Sequence, residues 1–265
     1  MTKINIKVPV MADLFAEERK PEYLFWVGSA GSYDDRAKKI TRSFVRILEY
    51  AQVSYAVLGT EETDSGDAAK RAGNEFLFQM QAAQIIETLK MYEVKKIITC
   101  DPHDYNTLKN EYPDLGGEFE VFHHTEIIGN LIENGIVKMK DETVFSKKRF
   151  TYHDPCYLGR GNRIFEQPRN ILLSVGQLVE MDRNKSKSLC CGAGGAQMFK
   201  EAEKGTKEVF ELRTEDVLAV QPDIVAVACP FCMTMLTDGI KFKNKEEEIK
   251  VLDIAEIVSR ALGLE

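Results

Sequence analysis

The sequence predicts an α/β fold made of two tandem, pseudo-symmetric subdomains, each a small parallel sheet flanked by helices. Three observations predict it. Short apolar runs alternate with longer amphipathic stretches along the whole chain, which is the pattern of repeated βα units. The order of these elements in the first half recurs in the second, in a register that lays Ser29 on Cys156. Small, polar or Pro-containing segments follow the apolar runs, as strand-to-helix turns require.

In the first half, Tyr23–Gly28 is a compact apolar run containing the only tryptophan, Trp26, and it leads into Gly28-Ser29-Ala30-Gly31-Ser32. A helical stretch then places Ile40, Phe44, Ile47 and Leu48 on one face. Ser54–Leu58 reads as a second strand, Phe76–Met91 as a helix, and Lys95–Thr99 as a third strand ending at Cys100-Asp101-Pro102. Phe119–Phe122 is a fourth strand, before a helix from Thr125 to Glu133. In the second half the strands are Lys148–His153, Leu178–Met181, Ile224–Ala228 and Lys250–Leu252, with a closing helix through Ile254, Ile257, Val258 and Leu262. The join lies near Asp141–Lys147, dividing the chain into residues 1–142 and 143–265. In this register Asp64-Ser65-Gly66 falls on Cys190-Cys191-Gly192, and Asp101-Pro102-His103-Asp104 on Cys229-Pro230-Phe231-Cys232. Glu126 falls near Glu256.

With 265 residues, 44% hydrophobic and 29% charged, the composition is that of a globular protein. A formal net charge of −7 argues against a nucleic-acid surface, which needs basic groups to displace phosphate counterions. No apolar run approaches the ~20 residues that span a bilayer, and Met1 to Lys20 has no signal-peptide core. The expectation is a cytoplasmic chain with no direct membrane span, reaching a membrane only through a partner.

The six cysteines are unevenly placed: Cys100 in the first half, the other five between Cys156 and Cys232. A disulfide framework does not suit a cytoplasmic chain of this size, so metal or redox chemistry is indicated. Cys156 is followed after 33 residues by Cys190-Cys191, and after 37 more by Cys229-x-x-Cys232. Cys156 and Cys229 come just after strands, where open parallel sheets bind ligands. Five thiolates at one point favour a soft centre, an iron–sulfur cluster ahead of zinc, because a structural zinc takes only four ligands. The glycines 192, 194 and 195 let the backbone approach a bulky core, and Pro155 and Pro230 stiffen the loops. The competing readings are a thioredoxin-like dithiol at Cys229-x-x-Cys232, a structural zinc site, and inert buried thiols; none of them requires all three cysteine segments.

These segments, His153-Asp154-Pro155-Cys156-Tyr157-Leu158-Gly159-Arg160, Cys190-Cys191-Gly192-Ala193-Gly194-Gly195 and Cys229-Pro230-Phe231-Cys232, resemble the cysteine-rich (CCG) domain of heterodisulfide reductase B and D subunits and related oxidoreductase subunits. The resemblance covers nearly the whole chain as two copies. It implies that Cys156, Cys190, Cys191, Cys229 and Cys232 are ligands of one [4Fe–4S]-type cluster, cubane or non-cubane. It also implies an electron-transfer subunit working with a ferredoxin-type, flavin or quinone-linked partner, since no Cys-x2-Cys-x2-Cys-x3-Cys run is present. The alternatives are a catalytic disulfide or thiol reductase at that cluster and a non-enzymatic scaffold with a structural metal. The first copy departs from the pattern: Ser29, Asp64, Asp101 and Asp104 stand where cysteines are expected, so it is read as holding no cluster. If Ser29, Asp64, Asp101, His103 and Asp104 converge, their oxygens suit a hard cation, or zinc with His103; otherwise they are solvated or paired. His123 and His124 end a strand and cap a helix or reach a cluster edge. His153 is placed for contact near Cys156. Arg160 and Arg163 either offset cluster charge or pair with acids, and Lys241–Lys250 reads as a solvated loop.

Overall fold

A computed structural model of the chain describes residues 6–140, 142–201 and 204–265. The expected joint residue Asp141 and the first five residues of the chain lie outside them. In the first half the elements are α1 (Met11–Ala16), β1 (Tyr23–Trp26), α2 (Gly28–Tyr33), α3 (Ala37–Tyr50), β2 (Tyr55–Ala56), α4 (Asp67–Arg71), α5 (Glu75–Met91), β3 (Lys96–Thr99), α6 (Pro102–Asn106), β4 (Glu120–His123) and α7 (His124–Glu133). In the second they are β5 (Arg149–Tyr152), α8 (Glu166–Leu173), β6 (Gln177–Leu178), α9 (Val209–Ala219), β7 (Ile224–Val227), α10 (Pro230–Phe242), β8 (Lys250–Asp253) and α11 (Ile254–Leu262).

The sheets have the same strand order, β2-β1-β3-β4 and β6-β5-β7-β8, and every pairing is parallel. Helices cover both faces, so the central strands are apolar without alternation: Leu24, Phe25 and Trp26 in β1, and all of β7, are buried. The sequence reading of the strands holds to within one or two residues except at the edges. There β2 and β6 shrink to two residues each, paired only with Tyr23-Leu24 and Arg149-Phe150. An edge strand is bonded on one side only, and after Val179, which still donates to the Phe150 carbonyl at 2.8 Å, the chain turns to other partners: Glu180 binds Arg169 and Met181 enters the core. The small residues after Trp26 form α2, where Gly28 has φ +75 and a Cβ would collide with Asp104 Oδ2.

The halves pack as a pseudo-dimer. Helix α3 packs on α11, and their counterparts α8 and α7 pack on each other in the same way. Likewise α2 meets α10, while α6 meets the π-turn Tyr157–Gly161 that follows β5. Two pairs of exchanged contacts are what an approximate two-fold axis produces. One hydrophobic core runs through both halves. Ion and hydrogen bonds cross the interface as well: Arg36 to Glu256 at 2.7 and 3.0 Å, and His124 Nε2 to Asp253 Oδ1 at 3.0 Å.

Candidate metal centre

In each sheet the chain leaves β1 or β5 in one direction and returns to β3 or β7 on the other side. The carboxyl ends of those central strands therefore flank a crevice, the usual ligand position of such sheets. Cys156 follows β5, and Cys229 follows β7 as the N-cap of α10, with extended φ −161 and Pro230 at the first helical position. Cys232 lies one turn further on the same helix. Cys190 and Cys191 arrive on the long loop after β6.

The five sulfurs form one connected set. Cys191, Cys229 and Cys232 pack in one buried cluster with Cys190 against it, and Cys156 and Cys190 lie close enough to shift each other's titration. Cys191, Cys229 and Cys232 are buried, while Cys156 and Cys190 are half-buried. Gly192, at φ +102, turns its N–H onto Cys190 Sγ at 3.3 Å. The loops are tied together beneath the sulfurs. Asp154 accepts two bonds from Arg169 at 2.7 and 2.9 Å and one from the Lys185 N–H at 2.8 Å, and Arg160 donates to the Ser188 carbonyl.

The electrostatics show what this donor set lacks. Contacts from Cys156 and Cys191 drive the Cys190 thiol well below its ordinary range, against the effect of burial. Burial pushes Cys229 up, but hydrogen bonds from Cys232 and His103 outweigh it and hold the thiol at about 5. Cys156 and Cys191 are pushed up, first by Cys190, and Cys232 is pushed up, first by Cys191 and then by Cys229. Crowded thiols oppose one another's ionisation, and a positive core would relieve that opposition. The soft, five-sulfur set fits an iron–sulfur core and exceeds the four ligands of structural zinc. His153 supports the fit: one ring nitrogen lies within 4.8 Å of the sulfurs of Cys191 and Cys232. Arg213 Nε donates to His153 Nδ1 at 3.0 Å, and the buried Nε2 has no partner. Burial and the Arg213 charge push this histidine well below its ordinary range, so it is neutral, with its proton on Nε2.

Other singled-out residues lie elsewhere. Cys100 is buried beneath Asp101 and is not part of the sulfur set. His123 Nδ1 accepts from the Thr125 N–H and caps α7, while His124 binds Asp253; neither touches the cysteines. Ser29, Asp64, Asp101, His103 and Asp104 do converge, around a cavity of about 320 Å3 between the halves. They are largely satisfied there: Ser29 Oγ donates to Asp64 at 2.8 Å, Ser65 Oγ to Asp104 at 2.6 Å, and the His103 N–H to Asp101 at 2.8 Å. Apolar residues, among them Met198, Phe199, Pro230 and Phe231, line it together with Tyr33, Asp34, Asp67 and Thr234, and none of the five cysteines does. Arg169 and Arg213 escape the sequence reading. A lone arginine between hydrophobic residues carries no local mark of the buried acid or imidazole it will meet.

Residues 150–237 match the family model of the cysteine-rich domain. The chain is 45% identical over 260 residues to the probable iron-sulfur-binding oxidoreductase FadF of Bacillus subtilis, covering 97% of this chain and 36% of that protein. It is 44% identical to the EtfAB:quinone oxidoreductase of Syntrophomonas wolfei, with 95% and 36% covered. To the D subunit of the dihydromethanophenazine:CoB--CoM heterodisulfide reductase of Methanosarcina barkeri it is 33% identical, with 93% and 60% covered. The chain thus spans little more than a third of the first two relatives and three fifths of the third. A hypothetical protein from Helicobacter pylori shares the fold, with a TM-score of 0.56 at 10% identity over 91% of this chain and 49% of that one. Residues 150–237 thus resemble the cysteine-rich domain, and along nearly its whole length the chain resembles heterodisulfide reductase D subunits and their iron–sulfur oxidoreductase relatives.

Proposed function

We propose that this chain is an iron–sulfur electron-transfer subunit of a heterodisulfide-reductase-like oxidoreductase, with one [4Fe–4S]-type cluster held by Cys156, Cys190, Cys191, Cys229 and Cys232. The observation that carries this reading is the convergence of five sulfurs at the crevice of the second sheet. A bound cluster would supply reversible one-electron chemistry. The chain's own residues supply the rest. Burial of Cys191, Cys229 and Cys232 excludes water, the Gly192 N–H bonds Cys190, and the free Nε2–H of His153 is available to sulfur. Residues 143–265 form the cluster-binding copy in this reading, and residues 1–142 a degenerate copy that covers it.

The relatives named as quinone and heterodisulfide oxidoreductases support a partner module bearing ferredoxin-type clusters, a flavin or quinone access. No helix among the described residues is long and apolar enough to cross a membrane. Six unpaired thiols agree with a reducing, cytoplasmic setting. A second reading, reduction of a disulfide or thiol at the same centre, has the cavity between the halves in its favour. The relay is preferred because no cysteine lines that cavity and His103 covers Cys229.

The test is iron and acid-labile sulfide in anaerobically purified protein, with EPR after mild oxidation. About four irons per chain, lost in Cys191→Ser, is the expected result. One zinc and no sulfide would remove the proposal and leave a structural metal site.

A further inference from the structure

The first half has no cysteine at the positions matching the second half's five, yet it places a histidine on a cysteine of the second. Asp101-Pro102-His103-Asp104 ends β3 as Cys229-Pro230-Phe231-Cys232 ends β7, and the pseudo-two-fold packing brings the two turns face to face. A ring nitrogen of His103, the Asp101 carboxylate and Cys229 Sγ all lie within 4.8 Å of one another. His103 and Phe231, which occupy the same place in the two motifs, pack edge to face at 5.0 Å and 81°. Tyr157, next to Cys156, meets the ring at 4.7 Å.

The ring is also held from behind. His103 Nδ1 faces Asp67 Oδ2 at 2.9 Å. Asp67 is itself fixed by Arg71 Nε at 2.9 Å and Thr107 Oγ1 at 3.3 Å. With Nδ1 engaged by a carboxylate and two aromatic rings setting the tilt, Nε2 is the nitrogen left for Cys229. A carboxylate behind an imidazole fixes its orientation and strengthens its interaction in front.

We infer that His103 donates a hydrogen bond from Nε2 to the Cys229 thiolate and thereby raises the reduction potential of the centre Cys229 helps to hold, with Asp67 as the carboxylate that orients the ring. The inference rests on the proposed function. Its physical basis is charge: reduction adds negative charge, part of which falls on the sulfurs, and a donor to sulfur stabilises the reduced form more than the oxidised one. His103 is a positioning residue, acting through Cys229. The degenerate half then has a definite task, which is to tune the cluster of its neighbour.

The test uses the full chain, purified anaerobically, with iron and sulfide content, an EPR-monitored redox titration, and pulsed EPR on protein labelled with 15N-histidine. His103→Phe, which repeats the Phe231 side chain, is expected to keep iron and sulfide, lower the midpoint potential and lose a 15N coupling. Asp67→Asn is expected to lower the potential by less, and His103→Gln, which retains an N–H donor, to restore part of it. Full iron and sulfide with an unmoved potential in His103→Phe overturns the inference and leaves the proposed function standing. If His103→Phe loses its iron, Asp67→Asn decides in its place, and an unmoved potential there overturns the inference. Wild-type protein without iron and sulfide removes the proposed function and this inference together.

Discussion

The two halves share strand order, parallel register and the helices that follow β4 and β8, each of which begins with a capping box, His123 with Glu126 and Asp253 with Glu256. They differ where chemistry is decided, at the ends of the central strands. The second half presents Cys156, Cys229 and Cys232; the first presents Ser29, Asp101 and Asp104. Its oxygens at these positions bond locally: Asp64 accepts from Ser29, Asp104 accepts from Ser65, and Asp67 pairs with Arg71. Burial pushes the Asp104 carboxyl up to about 7. The Glu62 carboxyl goes up to about 8, despite two backbone N–H donors at 3.1 and 2.7 Å. Carboxyls held by burial and hydrogen bonds thus stand in the first half where the second crowds thiols together. The lesson is that the crevice geometry belongs to the sheet, and the ligand set is laid over it.

The largest effect expected from this contrast is on metal content. Cys156→Ser should abolish most bound iron, while its counterpart Ser29→Ala should leave iron and sulfide unchanged by elemental analysis. Iron loss in both would mean that the first half contributes a ligand after all.

Next in size is the buried ion pair beneath the sulfurs. Asp154 and Arg169 are almost wholly buried, and Val27 stands at the Asp154 position in the first half. Arg169→Ala strands a buried carboxylate and should cost about 3–5 kcal/mol in urea unfolding. Asp154 and Arg169 replaced together by apolar residues should cost less, which a double-mutant cycle would show.

The pH dependence sharpens the comparison from the other side. The folded-state pKa of Glu62, about 8, lies above its unfolded value near 4.3. The native state then binds more protons than the unfolded state between those values. Stability from this group is fully present below about pH 4.3 and lost as pH rises toward 8, by at most about 1.4 kcal/mol per pH unit. Unfolding measured across that range should flatten in Glu62→Gln; an unchanged slope would show that the carboxylate is already ionised in the native state. The smallest effect is at the exposed start of α5, where the Asn74 side chain accepts from the Leu77 N–H at 3.1 Å. Asn74→Ala should cost about 1 kcal/mol, with no change in iron content.

The central strands and the helices α3, α7 and α11 were legible because each carries its own apolar periodicity, and α5 because its helix-forming run is 17 residues long. The short helices α4, α6 and α8 were not, since five to eight residues hold too little pattern. Helix α9 is longer, yet its apolar residues are spread around its axis. The edge strands were overextended for a related reason: an apolar run marks burial, and Met181 is buried without joining the ladder. At the site, all five clustered cysteines were legible from residue type and position after strands. The role of Asp154 as a tie between loops was not, because its partners Arg169 and Lys185 are local to neither side.

By itself the sequence determined the repeat, the parallel α/β class and the five cysteines, because periodicity and side-chain chemistry are properties of short segments. Tertiary structure alone decided that Cys190-Cys191 closes onto the ends of β5 and β7, that Arg213 holds His153, and that His103 crosses to Cys229. The first two join distant positions within the second half, and the third depends on the packing of α3 on α11 and α7 on α8. No local pattern records the angle at which two halves meet, and that angle is what sets a histidine of one against a sulfur of the other.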